Sequence, residues 1–123
     1  MDSAGIAGYH IGSPPDQRSI KVCEEKGIIS IRKQKARQLS SNDFETFDFI
    51  FCMDNQNLID AKSIQNRCTK SKAKIALFGS LSGKSIEIED PYYGKIDDFH
   101  RVLAQCDEYS LLQLNQLKNR VLK

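Results

Sequence analysis

One loop segment holds most of the side chains in this sequence that could do chemistry. The segment Ile88-Glu89-Asp90-Pro91-Tyr92-Tyr93-Gly94 combines a carboxyl next to proline with two phenol rings. A loop carboxyl can act as a general acid and base, and tyrosine rings can stack on an aromatic substrate. An isolated aspartate before proline is more often a turn residue, and loop tyrosines also pack on neighbouring helices. The segment alone therefore does not define an active site.

The four cysteines do not have the spacing of a zinc site or a redox couple. Cys23, Cys52, Cys68 and Cys106 are 29, 16 and 38 residues apart, so no Cys-x2-Cys pair occurs. Each lies in a stretch that we interpret as helix or strand, where a reduced thiol serves as a small buried apolar side chain. We therefore expect four free thiols and no metal.

Length and composition limit the classes of protein that this chain can represent. Its 123 residues suffice for one domain, and 40% hydrophobic with 28% charged residues predicts a globular fold. A formal net charge of +2 provides no field for gathering nucleic acid. No apolar run reaches the roughly 18 residues that span a bilayer, and no signal peptide is recognisable. We expect a cytoplasmic protein without nucleic-acid binding or membrane insertion.

The N-terminal part of the chain predicts a structured loop and then a helix. Residues 1–16 contain three glycines and two prolines, which suit tight bends. Asp16 can cap a helix that ends at Gly27, since glycine suits the left-handed position after a helix. Residues 28–31 are a candidate strand, and the basic residues within 32–37 predict a solvated face.

Residues 48–79 are predicted to form one β-α-β unit. Residues 48–53 are almost continuously apolar and bounded by acids, as in a parallel strand that is buried on both faces. A helix capped by Asp54 or Asn55 follows, and residues 74–79 form a second apolar run. Asp54 thus lies at the carboxyl end of a strand, where open α/β sheets place their sites, although helix capping is an equally good role for it.

A long helix is predicted over residues 97–122, and it has an apolar stripe that a sheet must cover. The strand candidates hold less than the roughly 20 to 25% of residues usual in globular domains. Two parallel strands also cannot form a sheet that is covered on both faces. The pattern therefore predicts that a strand is missing. The stripe comprises Phe99, Val102, Leu103, Cys106, Leu114, Leu117 and Val121.

Several short motifs occur in the order in which the low-molecular-weight protein tyrosine phosphatase family has them, and the chain resembles that family up to its last helix. The resemblance implies one partial phosphatase domain over residues 1–123, with a flavodoxin-like α/β fold: an open parallel sheet with helices on both faces. The motifs are Asp2-Ser3-Ala4-Gly5, Gly8-Tyr9-His10-Ile11-Gly12, Pro14-Pro15-Asp16, Ala36-Arg37-Gln38-Leu39, Asp43-Phe44, Phe47-Asp48, Met53-Asp54, Asn57-Leu58 and residues 88–94.

The resemblance also implies a catalytic loop, Cys-x5-Arg-Ser after the first strand, and this loop is not in the sequence. The residues six positions after the four cysteines are Ile29, Leu58, Lys74 and Leu112, so no cysteine has its arginine. Lysine lacks the planar fork that binds a phosphoryl group in two places. We therefore expect an N-terminally truncated domain, in which residues 1–16 follow a missing first β-α unit. The sheet should then expose apolar edges at Phe49, Phe51, Ile75 and Leu77.

The resemblance assigns roles to six residues. Asp90 matches the general acid, which protonates the tyrosyl leaving oxygen and then activates water, so we call residues 88–94 the acid loop. Tyr9, Tyr92 and Tyr93 match aromatics around the phosphotyrosine pocket, while Ser3 and Asp54 match supporting positions. The implied substrate is a phosphotyrosine protein or a small aryl phosphate, without a metal or organic cofactor.

Three functions are compatible with these observations. The first is an incomplete copy of a phosphotyrosine phosphatase, inactive by itself because the nucleophile is absent. The second is a non-catalytic splice form with a binding or regulatory role. The third is the arsenate reductase branch, which the acid loop and the lack of an obvious cysteine relay pair disfavour. The sequence does not predict an oligomeric state.

Overall fold

The computed structural model describes residues 1–84 and 86–121, with the side chains of residues 81, 82, 120 and 121 excepted. Four α-helices and two strands follow each other in an α/β order. The helices are Gln17–Glu25 (α1), Ser41–Thr46 (α2), Asn55–Asn66 (α3) and Ile96–Val121 (α4), and the strands are Phe49–Cys52 (β1) and Lys74–Leu77 (β2). Short 3-10 helices occur at Ile29–Lys33, Phe78–Ser82 and Pro91–Tyr93.

Strands β1 and β2 pair in parallel and are connected by α3. Ile50 lies opposite Ile75, and Cys52 lies opposite Leu77. Over the described ranges the sheet has these two strands, and one isolated parallel bridge joins Gly5 to Gln38. The parallel arrangement requires a crossover connection, which α3 provides.

One face of the sheet packs against α2 and α3. Because successive side chains of a strand point to opposite faces, Ile50 and Cys52 share a face that Phe51 does not. Cys52 belongs to a buried cluster with Phe44 of α2, Ala61 of α3 and Ala73, and Ile50 packs against it. Phe44 and Ala61 are completely buried.

The other face packs against α4. Phe51 contacts a second buried cluster that contains Phe78, Ile88 and Tyr109. Ring centroids lie 5.8 Å apart for Phe49 and Phe51, 6.0 Å for Phe51 and Phe78, and 5.9 Å for Phe78 and Tyr109. This aromatic row connects the sheet to α4. Helices therefore cover parts of both faces, which confirms the predicted α/β fold with a parallel sheet.

Two predicted strand regions are wrong in whole or in part. Residues 28–31 fall largely in the 3-10 helix Ile29–Lys33, and Ile29 is 76% exposed. Among the described residues, no strand of the sheet pairs with this segment. The strand predicted over 74–79 ends at Leu77 because the chain turns into a 3-10 helix, where the Ser80 hydroxyl donates to the Leu77 carbonyl at 2.6 Å. A side chain on Gly79 would collide with the backbone of Ile86.

Helix α4 begins one residue before the predicted range and is described to Val121, so residue 122 lies outside the described residues. Phe99 is buried, whereas Leu114 and Leu117 are 47% and 38% exposed. The stripe is thus covered only in its first half, while the prediction required cover along its length. No helix in the described part of the chain is long and apolar enough to cross a bilayer.

Three further predictions differ from the structure. Leu77 is only 6% exposed and does not form an exposed edge, because α3 and the following 3-10 helix pack on β2. The other three residues of the predicted edge are half-buried: Phe49, Phe51 and Ile75. Cys68 follows α3 and lies outside a helix or strand. Arg37 is not part of a solvated face, because its guanidinium bonds the Asp43 carboxylate at 3.0 and 3.1 Å.

Candidate active site

The acid loop begins at a backbone connection to the carboxyl end of β1. The Ile88 amide donates to the Met53 carbonyl at 2.7 Å. Next to it, the Glu87 carboxylate accepts a 2.7 Å hydrogen bond from the Asn55 amide at the start of α3. The segment before Asp90 is therefore held against the same strand end that Asp54 follows.

Asp90 forms the start of the 3-10 helix Pro91–Tyr93. Its Oδ1 accepts a hydrogen bond from the Tyr92 amide at 3.0 Å. Among the described residues, Oδ2 has no hydrogen-bond partner, and Asp90 is exposed. One carboxylate oxygen thus fixes the local turn, while the other has no hydrogen bond among the described residues, and such an exposed carboxyl can exchange a proton with a bound molecule.

The acid loop ends at a connection to α1 through Arg18. The Arg18 guanidinium donates to the Tyr92 carbonyl at 2.8 Å and to the Gly94 carbonyl at 3.0 Å. Asp16, whose Oδ1 caps α1 by accepting from the Arg18 amide, also accepts from the Arg18 side chain at 3.0 and 3.1 Å. These hydrogen bonds from Arg18 lower the pKa of the Asp16 carboxyl. Sequence reasoning missed Arg18, since it lies 76 residues from Gly94 along the chain.

The two tyrosines of the acid loop lie at its surface. Tyr92 is 55% exposed and Tyr93 is 96% exposed, with their rings edge to face at 4.9 Å. Tyr93 does not pack on the final helix, which was the alternative role considered from the sequence. Both rings are accessible to a molecule that approaches Asp90.

The remaining sequence-predicted site residues make local contacts of their own. Asp54 caps α3, accepting from the Asn57 amide at 2.7 Å. Tyr9 is 81% exposed and contacts the ring of His10. Ser3 donates its amide to Asp2 at 2.8 Å. In the described ranges no hydrogen bond or ring contact connects Tyr9, Ser3 or Asp54 directly to Asp90, whereas Asp90 bonds the Tyr92 amide and the rings of Tyr92 and Tyr93 are in contact.

The cysteines do not provide an evident nucleophile. Burial raises the pKa of the thiols of Cys23, Cys52 and Cys106, so these three are protonated at neutral pH. The Cys68 thiol, which follows α3, donates to the Ile64 carbonyl of that helix at 3.3 Å. Within residues 1–84 and 86–121, no three His, Cys, Asp or Glu side chains come together as metal ligands do.

Comparison with known proteins identifies the family. The family description "Low molecular weight phosphotyrosine protein phosphatase" matches residues 1–122. The human protein of that name is 46% identical over 107 residues, which are 86% of this chain and 66% of the human protein. The chain therefore spans slightly less than two thirds of that relative.

Solved structures agree with this relationship. The crystal structure of a Drosophila arginine phosphatase, DARP, has a TM-score of 0.88 and 31% identity, covering 95% of this chain and 76% of the other. A protein tyrosine phosphatase from Entamoeba histolytica, with Hepes in its active site, has a TM-score of 0.83 and 34% identity, covering 96% of this chain and 74% of the other. The chain belongs to the low molecular weight phosphotyrosine protein phosphatase family.

Proposed function

We propose that this chain supplies the acid half of a phosphotyrosine phosphatase site, and that hydrolysis proceeds through a phosphocysteine on a Cys-x5-Arg loop that its 123 residues do not contain. The observation that carries the proposal is the geometry of Asp90, an exposed residue with one oxygen bonded to the Tyr92 amide and the other without a hydrogen bond among the described residues. Family membership supports the reaction class.

In this proposal the proton follows a defined path. When the cysteine thiolate of the catalytic loop attacks phosphorus, the P–O bond to the tyrosyl group breaks, and protonated Asp90 gives its proton to the leaving oxygen. In the second step the Asp90 carboxylate removes a proton from water, which attacks phosphorus and releases phosphate and the thiolate. Tyr92 and Tyr93 border the phenyl ring of the substrate.

The 123-residue chain is expected to be inactive by itself. Loss of the loop removes both the nucleophile and the donors that stabilise the equatorial phosphoryl oxygens. The test uses two proteins: this chain alone, and this chain fused behind a strand–loop–helix segment that carries the Cys-x5-Arg motif implied by the family resemblance. We expect hydrolysis of p-nitrophenyl phosphate by the fusion and none by the chain alone.

Substitutions in the fusion test the role of Asp90. Asp90→Asn should lower kcat by about 10²- to 10⁴-fold, which is the usual contribution of a general acid. Asp97→Asn, in the first turn of α4, is the matched control and should leave kcat unchanged. A folded fusion that does not turn over, or an active 123-residue chain, would contradict the proposal.

Phosphoarginine is a second candidate substrate, because of the likeness to the Drosophila arginine phosphatase. The fusion should be assayed with phosphotyrosine and phosphoarginine side by side. A higher kcat/KM for phosphoarginine would identify phosphoarginine, and not phosphotyrosine, as the substrate. The role of Asp90 would then be tested with the same variants.

A further inference from the structure

We infer that Arg18 is a positioning residue that fixes the acid loop by binding the backbone carbonyl of Tyr92, the residue whose amide binds Asp90. The inference rests on the proposed role of Asp90 as general acid. Tyr92 donates its amide to Asp90 Oδ1 at 3.0 Å, and its carbonyl accepts from Arg18 at 2.8 Å. The amide and the carbonyl belong to the two peptide units that flank the Tyr92 Cα, so a displacement of the Tyr92 backbone would move the Asp90 carboxylate.

Arg18 has the geometry of a rigid clamp. Its two terminal nitrogens bond different carbonyls, those of Tyr92 and Gly94, and guanidinium donors are fixed in one plane. Asp16 accepts from Nε at 3.1 Å and from Nη2, the nitrogen that also bonds the Tyr92 carbonyl, at 3.0 Å. Asp16 thus fixes the orientation of the guanidinium plane toward the two carbonyls of the acid loop.

Aromatic packing adds a second restraint on the guanidinium. Its central carbon lies 4.3 Å from the ring centroid of Phe99, which is buried in the first turn of α4, and 5.8 Å from that of Tyr92. A cation over a ring face is attracted by the ring quadrupole. Arg18, in the first turn of α1, therefore connects that helix to both the acid loop and α4.

The two ends of the acid loop are held independently. Ile88 bonds Met53 at the start of the loop, and Arg18 bonds Tyr92 and Gly94 at its end. Loss of Arg18 should therefore loosen only the end that carries the Tyr92 amide. An arginine with a merely structural role would affect both ends and the sheet.

Amide exchange in the 123-residue chain tests this step directly. In Arg18→Met, which keeps an apolar stem, solvent exchange measured by NMR should become at least about tenfold faster at the Tyr92 and Gly94 amides. It should not change at Ile88 or in β1. Arg18→Lys should restore part of the protection, because lysine keeps the charge but not the fork. Arg32→Met, which removes an exposed arginine paired with Glu24, is the control and should match wild type.

Kinetics of the fusion protein tests the consequence for catalysis. Arg18→Met should lower kcat more for phenyl phosphate than for p-nitrophenyl phosphate, because the poorer leaving group depends more on the proton from Asp90. KM should change less than kcat. In the Asp90→Asn background, Arg18→Met should lower kcat little further.

The outcomes separate this inference from the proposed function. Unchanged exchange at Tyr92 and Gly94, or equal losses of kcat for the two esters, would overturn the inference. An inactive fusion with accelerated exchange in Arg18→Met would refute the proposed function while supporting the clamp.

Discussion

The two faces of the β1–β2 sheet are covered in different ways. The face with Ile50 and Cys52 packs on α2 and α3, elements that are adjacent to the strands in the sequence, and it forms a cluster around the completely buried Phe44. The face with Phe49 and Phe51 depends on α4 and the segment around Ile88, which come from farther along the chain. Helices that are adjacent in sequence therefore cover the first face, whereas covering the second face requires segments from farther along the chain.

The second face is covered only in part. Tyr109 is 5% exposed and completes the aromatic row, but three leucines beyond it on α4 are substantially exposed. The half-buried Phe49 lies at the other end of the same row. We therefore expect substitutions on the first face to be costly and those on the outer half of α4 to be nearly neutral. The exposed leucines are Leu111 at 63%, Leu114 at 47% and Leu117 at 38%.

The largest effect is expected for Phe44→Ala. Phe44 has no exposed surface, and removing a fully buried phenyl ring costs about 3 to 5 kcal/mol through lost transfer energy and a cavity. Urea unfolding followed by far-UV circular dichroism measures the change in the free energy of unfolding. A loss below about 1 kcal/mol would show that the first face is not a tight core.

A smaller effect is expected for Asp43→Asn. Burial disfavours the Asp43 carboxylate, but hydrogen bonds from Arg37 and Ser40 outweigh it and lower the pKa of Asp43. Asparagine should cost about 1 to 3 kcal/mol near neutral pH, because hydrogen bonds to a charged partner are lost. Arg37 also bonds Asp2 of the N-terminal loop. This variant therefore tests how strongly the attachment of that loop to the first face contributes to stability.

The pH dependence of Asp43→Asn has a defined sign. A carboxyl with a lowered folded pKa stabilises the protein above its unfolded pKa, about 3.9, and this stabilisation is lost as pH falls through the folded pKa. The difference between wild type and Asp43→Asn should thus be constant near neutrality and shrink below about pH 4. Urea titrations at several pH values measure it, and a difference that persists at acid pH would rule out the ion pair as its source.

The smallest effect is expected for the double substitution Leu111→Lys and Leu114→Lys. Lysine and leucine have similar helix propensities, so exposed sites should change stability by no more than about 0.5 kcal/mol. The same urea assay applies. A loss above about 1.5 kcal/mol would mean that the outer half of α4 is packed, because that is the minimum expected for removing a buried leucine.

The sequence predicted the β-α-β unit and the long helix because their signals are local. The apolar run after Asp48 and the cap at Asp54 have clear signatures, and the structure places β1 and α3 there. Residues 28–31 were misassigned because β-branched composition cannot report whether a partner strand is present. The length of β2 was overestimated because the turn at Ser80 depends on a side-chain hydrogen bond.

The candidate site was predictable only in the part that one segment carries. Asp90, Tyr92 and Tyr93 are consecutive or nearly so, and the structure keeps them together. Arg18 was not predictable, because its contacts join segments more than seventy residues apart. Arg37 was predicted to be a surface charge because nothing in the sequence pairs it with Asp43, although the two are only six residues apart.

The distribution of tyrosines makes the molecule its own optical probe. The chain has no tryptophan and four tyrosines, of which Tyr9, Tyr92 and Tyr93 face solvent and Tyr109 is enclosed at the end of the aromatic row. Near-ultraviolet dichroism from a fixed, asymmetric ring environment should thus come mainly from Tyr109, whereas collisional quenching by iodide should act on the other three. Two simple measurements can therefore separate the docking of α4 from the exposure of the three surface tyrosines, two of which belong to the acid loop, without an added label.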